Sequence, residues 1–244
     1  MKATDYFFPE KKAGGFTRVD GTINFFSRVN ALMDDEMIVL DYGAGRGRLA
    51  ADDPVDFRRN LLSLKGKCKR LIGVDIDDEI LKNPSLDEAH IIEIGLPIPL
   101  PDESVDLIVS DHVFEHVADP EFVSGELNRV LKPGGWICAR TPNRWGHIGI
   151  GTNIIPNKLH VSILKYLQPN RKSIDVFPTE YRLNTKKQLK AYFPEKNFEH
   201  CTYGYNAEPA YFSDSKIMWA VVLFLFRLLP ESWFATWMIF IMKK

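Results

Sequence analysis

Five short runs constrain the fold of this chain more than anything else in it: MIVLDY (37–42), KRLIGVD (69–75), AHIIEI (89–94), VDLIVS (105–110) and GWICART (135–141). Each is dominated by apolar residues, as expected of a strand buried on both faces of a parallel sheet. Helical segments separate them. In DPEFVSGELNRVLKPGG, Asp119 can cap, Pro120 suits the first turn, and Lys132-Pro133-Gly134-Gly135 stops the helix. GTINFFSRVNALM (21–33) places Ile23, Phe26, Val29 (or Asn30) and Met33 near helical spacing ahead of the first strand. Strands alternating with helices predict a doubly wound α/β sheet. Further on, LNTKKQLKAYF (183–193) predicts a helix capped by Asn184 or Thr185, and NFEHCTYGY (197–205) a strand.

Length and composition set outer bounds. A chain of 244 residues that is 45% hydrophobic can bury a sizeable core as one domain. With 31 basic and 32 acidic residues the net charge is −1, so no whole-protein field draws it to nucleic acid or to an anionic membrane, and such a partner would need a local patch. No nucleic-acid partner is expected. Cys68, Cys138 and Cys201 lie far apart without a CxxC pair, which predicts reduced thiols and no metal site. The N-terminal stretch lacks an apolar run of secretory type, so a cytoplasmic location is expected.

The segment from Lys216 to Met242 carries two apolar pieces, IMWAVVLFLF and WFATWMIFIM, interrupted by Arg227, Pro230 and Glu231. Neither reaches the ~18 residues of a membrane span, and charges near the middle of a span are costly. The first piece is expected to be a covering helix and WMIFIM the final strand, with peripheral membrane contact through this tail as the alternative.

The chemistry concentrates after the first strand, in DYGAGRG. Asp41 ends that strand, and Gly43, Gly45 and Gly47 form the turn into the next helix, at the ligand crevice of an open α/β sheet. Glycine lets a ligand approach the main chain, and amides near a helix start receive anionic groups. The pattern DxGxGxG departs from GxGxxG, whose last glycine would fall on Arg48, and this argues against a bound pyrophosphate. Asp41 would repel phosphate and attract an amine or sulfonium, so the ligand reads as zwitterionic. The second strand ends in IGVDID, where Asp75 can accept from both hydroxyls of a ribose.

The motifs LDYGAGRG, IGVDID, LPIPLPDESVDLIVSDHVFEHV and RVLKPGG, in this order over roughly residues 36 to 142, resemble the class I S-adenosylmethionine-dependent methyltransferases, closest to the small-molecule type 11 branch. The resemblance implies a Rossmann-like, mostly parallel seven-stranded sheet with helices on both faces and the last strand antiparallel. The whole chain is then one methyltransferase domain: a cofactor core at 36–142, an acceptor-pocket insert at 143–182, and a closing helix and strands at 183–244. It also implies that Asp41, Gly43, Gly45 and Gly47 hold the methionine end of S-adenosylmethionine and Asp75 its ribose, that Ile76 flanks the adenine, and that Ser110 and Asp111 face cofactor and acceptor. Two departures stand out. Asp41 and Asp75 lie 34 positions apart where about 20 is usual, so an extra turn or a broken helix near Pro54 is expected. After the third strand only Glu93 is available as an acid toward the adenine amine, so the backbone is expected to carry that recognition.

A general base would sit just past the fourth strand, and His112, Glu115 and His116 in SDHVFEHV are the candidates. The alternative is that Glu115 and His116 merely shape that loop. Arg144, Trp145, His147 and Tyr181, with Lys158, His160, Arg171, Lys172 and Arg182 around them, would give a basic and aromatic lining suited to a small-molecule, sugar or lipid-linked acceptor, with oxygen the preferred methyl acceptor. Two other readings compete: a non-catalytic S-adenosylmethionine-binding module docking on a membrane or partner, and an NAD-dependent oxidoreductase, which should show GxGxxG.

Overall fold

The computed structural model describes residues 1–47, 53–146, 178–209 and 214–244, which build one eight-stranded sheet. Its strands are β1 Ile38–Tyr42, β2 Arg70–Asp75, β3 Glu88–Ile91, β4 Val105–Asp111, β5 Leu131–Pro142, β6 Phe198–His200, β7 Tyr203–Tyr205 and β8 Thr236–Lys243. Their order is β3-β2-β1-β4-β5-β8-β6, with β7 also on β8. β1 to β5 run parallel and β8 antiparallel between β5 and the β6/β7 edge. The seven-strand expectation differs only at 197–205, where the strand is interrupted at Cys201 and Thr202. His200 pairs with Ile241 and Tyr203 with Met238, so both halves keep one register along β8.

Helices α1 Ala3–Phe7, α2 Gly21–Leu32, α3 Asp56–Leu62, α4 Pro120–Val130, α5 Lys186–Tyr192 and α6 Lys216–Leu228 cover the sheet. α2 starts where Asp20 accepts from the amides of Thr22 and Ile23, and α4 where Asp119 accepts from that of Phe122. α3 begins two residues past Pro54, near which an extra turn or a broken helix was expected; residues 48–52, ahead of it, lie outside the described residues. Thr185, not Asn184, caps α5.

Neighbouring strand residues feed opposite cores. Val39, Leu107 and Val109 pack with Phe25, Phe26 and Val29 of α2, while Leu40 and Ile108 pack with Leu127 and Val130 of α4 and Leu189 of α5. Each such side chain, fully buried, contributes roughly 1.5–3 kcal/mol. The tail divides as expected: Trp237 to Ile241 are buried in β8, and α6 lays Trp219 on Ala3 and Phe8 of the N-terminal segment. Among the described residues no helix is long and apolar enough to cross a membrane.

The order reverses at β1, which pairs with β2 on one side and β4 on the other. A crevice therefore opens beyond the carboxyl ends of these strands, where, among the described residues, no helix lies across them.

Candidate active site

After Tyr42 the amides of Gly43 and Ala44 both donate to the Val74 carbonyl (2.8 and 3.2 Å), folding the glycine loop over the end of β2. All three loop glycines adopt positive φ. A methyl on Gly43 would lie 2.3 Å from Val113 Cγ2, and one on Gly47 2.1 Å from Asn83 Oδ1, so the protein itself fills both places. On Gly45, among the described residues, it would meet nothing nearer than Asp75 Oδ2 at 4.0 Å, so the Gly45 backbone has the open approach that the other two lack. Asn83, which no sequence pattern flagged, latches the loop by donating to the carbonyls of Ala44 and Gly45.

Asp75 Oδ2 accepts from the Gly45 amide at 2.8 Å and Oδ1 from the Asp77 amide at 2.9 Å. Each oxygen keeps acceptor capacity for one hydroxyl, the ribose role expected of it. Beside it Ile76 is 47% exposed, an apolar surface at the crevice edge. Glu93 is exposed beyond β3. Asp41 has no hydrogen-bond or ion-pair partner among the described residues. Burial first, then the charges of Asp111 and Asp75, push its carboxyl up to about 7.

Asp111 is placed differently from the expectation. Arg140 Nε and Nη2 grip its two oxygens at 2.7 and 2.6 Å, and the pair is buried between β4, β5 and α2. Arg140 Nη1 donates to Thr22 Oγ1, and its guanidinium lies 5.6 Å from the Phe25 ring centre. Burial alone would raise the Asp111 carboxyl, but the Arg140 charge outweighs it and holds it below the usual range. With Asp111 held by Arg140, Asp41 and Asp75 are the carboxyls at these strand ends without an ion pair among the described residues. Ser110, fully buried at the end of β4, has a hydroxyl with no partner among the described residues. A polar group stranded this way fits a ligand that supplies the missing bond.

His112 sits at φ 59, a backbone conformation that non-glycine residues adopt at a cost, and its amide donates to the Arg140 carbonyl. Its half-exposed ring has Nδ1 3.4 Å from Glu115 Oε1 and Nε2 3.8 Å from Asp111 Oδ1. Glu115 is buried; its Oε2 accepts from Thr141 Oγ1 at 2.8 Å, and that hydroxyl accepts from Asn184 Nδ2 at 2.6 Å. Burial would raise the Glu115 carboxyl, but the His112 ring leads the contacts that hold it low. His116 faces elsewhere, with Nδ1 2.7 Å from the Pro178 carbonyl. A carbonyl only accepts, so that bond fixes a proton on Nδ1.

The acceptor-side candidates divide. Arg144 and Trp145 follow directly on β5, the guanidinium 5.7 Å from an indole that is 57% exposed. Tyr181 is buried at φ 52, its amide on the Glu115 carbonyl and its own carbonyl accepting from Gln188. His147 lies outside the described residues, as do Lys158, His160, Arg171 and Lys172. Arg140, Asn83, Thr141 and Asn184 were missed because they act through partners distant in sequence.

Residues 40–139 match the methyltransferase domain family. A probable S-adenosylmethionine-dependent methyltransferase of Mycolicibacterium smegmatis is 36% identical over 113 residues, 43% of this chain and 38% of its own length. The ubiquinone biosynthesis O-methyltransferase of Chromobacterium violaceum is 32% identical over 117 residues, 43% of this chain and 44% of its own. The chain thus spans about two fifths of the length of these relatives. Among solved structures, a SAM-dependent methyltransferase from Thermotoga maritima superposes with a TM-score of 0.55 over 99% of both chains at 17% identity, a likeness of fold. The glycine loop, Asp75 and strands β1 to β5 fall within or beside the matched stretch, and residues 40–139 form a methyltransferase domain of the class I S-adenosylmethionine-dependent family.

Proposed function

We propose that this chain transfers the methyl group of S-adenosylmethionine to an oxygen of a small-molecule, sugar or lipid-linked acceptor. The observation that carries the reading is the pairing of unpartnered Asp41 with Asp75, hydrogen-bonded to the one loop glycine that faces open space. Asp41 and the Gly45 backbone hold the methionine end, Asp75 the ribose, and Ile76 the adenine face. Ser110 offers a hydroxyl toward the same crevice, and Asp111 acts on it through Arg140. When bound, the cofactor supplies an already activated sulfonium methyl, so alignment and exclusion of water make up most of what the protein must add.

His112 takes the acceptor proton. Its exposed ring stands at the end of β4 and Glu115 orients it, while Thr141 and Asn184 hold that carboxylate. Glu115 is a positioning residue, and His116 secures the returning segment at Pro178. Arg144 and Trp145 flank the acceptor's approach, and Tyr181 supports the loop through its bond to the Glu115 carbonyl. The O-methyltransferase name of one relative supports an oxygen acceptor.

Calorimetric titration with S-adenosylmethionine, with NADH as control, tests the cofactor: micromolar binding of the first alone is expected, and binding of NADH alone overturns it. His112→Ala should lower kcat by about 10²–10⁴ with donor affinity unchanged. An unaltered rate returns His112 to a structural role.

A further inference from the structure

Helix α6 buries only half of itself. Trp219 and Val222 face the N-terminal segment, while Ile217, Val221, Phe224 and Leu228 form one exposed stripe at helical spacing, 78% exposed at Ile217, 60% at Phe224 and 65% at Leu228. Met218 and Leu225 widen the stripe on one flank. On the other, Lys216 and Arg227 stand three turns apart, and among the described residues neither has an ion pair. Of the nearby acids, Glu231 pairs with Lys186 and Asp5 with Lys11, while Asp214 accepts from the Ala3 amide; Lys216 Nζ lies 4.9 Å from the Tyr6 ring centre, and Arg227 stands clear of all three acids. An exposed apolar stripe with unneutralised cations along one flank matches an anionic, apolar-cored surface.

A second copy of the chain would set the same cations against one another, whereas an anionic surface neutralises them; the thirteen residues of the helix span about 20 Å. The same helix is too short to cross a bilayer but long enough to lie in its surface. Its C-terminal end leads to Trp233, 50% exposed, and the side chain of Asn143 donates to the carbonyls of Ser232 and Phe234 at 2.8 and 2.9 Å. Asn143 immediately precedes Arg144 and Trp145, so the stripe ends at the carboxyl edge of the sheet, on the acceptor side of the crevice.

We infer that α6 docks in the plane of an anionic bilayer and brings the crevice to an acceptor carried in that bilayer. The second half of this inference rests on the methyl-transfer reading, whereas the docking stands without it. Phe224 and Leu228 enter the acyl boundary, Trp233 sits at headgroup level, and Lys216 and Arg227 meet anionic lipid while their stems lie along the helix.

The test is flotation of the full chain with phosphatidylcholine vesicles, with and without phosphatidylglycerol, and no methyl donor present. The chain should float with the anionic vesicles. Phe224→Glu combined with Leu228→Glu should cut that partition by about a hundredfold, roughly tenfold per buried side chain, with the thermal midpoint unchanged. Arg227→Gln should cost about fivefold on anionic vesicles and nothing on neutral ones. Absence of flotation, flotation indifferent to the double substitution, or a soluble dimer that the double substitution dissolves would each overturn the docking. Flotation by a chain that does not bind S-adenosylmethionine would leave the docking standing and remove the methyl-transfer reading.

Discussion

Gly43 and Gly45 share a loop and a left-handed backbone, yet a methyl group would do different harm at each. At Gly43 it runs into Val113, and the left-handed cost adds to the clash, so Gly43→Ala should lose at least about 2 kcal/mol and ~4–8 °C in Tm. At Gly45 the space is open, so Gly45→Ala should lose only the ~1–2 kcal/mol of the backbone conformation but weaken S-adenosylmethionine binding by about tenfold or more, read by calorimetry. Asp41 carries a second consequence. Its carboxyl, ordinarily at 3.8, is raised to about 7, so in that interval the folded chain keeps a proton that the unfolded chain releases. Its stabilising share is complete below about pH 4 and falls as pH rises toward 7. Glu208, raised by burial, acts in the same direction, whereas Asp111 and Glu115, both depressed, contribute above the ordinary carboxylate range and lose their share only at lower pH. Asp41→Asn should therefore flatten the decline in Tm between pH 4 and 7 and leave the acid limb below it unchanged.

At the scale of elements, α6 and β8 have similar composition and opposite surroundings. β8 lies between β5 and the β6/β7 pair with Ile239 fully buried, so Ile239→Asp places an uncompensated charge in the core and should prevent folding, seen as loss of cooperative melting. Apolar substitutions on the outer stripe of α6 should leave Tm unchanged. The first five strands were legible because burial on both faces leaves unbroken apolar runs, and α4 because Asp119, Pro120 and the KPGG stop punctuate it. The tail was harder to read, since a central strand and a half-exposed helix both appear as apolar stretches and only the neighbours distinguish them. In the site, Asp41, Gly45 and Asp75 stood out because their chemistry is local to a motif. The Asp111–Arg140 grip joins residues 29 positions apart, and the link from Thr141 to Asn184 spans 43, so neither leaves a local pattern. For the same reason, sequence could not show that His112 Nδ1 lies 3.4 Å from a Glu115 oxygen while His116 Nδ1 bonds the Pro178 carbonyl.

For the whole molecule, a donor that binds only the folded state should raise stability by about 2.7 kcal/mol at a hundredfold excess over Kd, or roughly 5–10 °C for a chain of this size. Asp75→Asn should abolish that shift in a melting scan while keeping a cooperative transition. At the end of β5, two bonds join residues that lie far apart in the chain. Asn184 Nδ2 donates to the Pro142 carbonyl at 2.9 Å, and the Arg144 amide donates to the Asn184 carbonyl at 3.2 Å, so the chain leaves the sheet and returns to it at nearly the same point. Doubling the length of a loop closed in this way costs only about 0.6 kcal/mol in entropy. Pro142 and Asn184 therefore stay joined whatever the number of residues between them, so lengthening that interval should leave the sheet's melting point nearly unchanged.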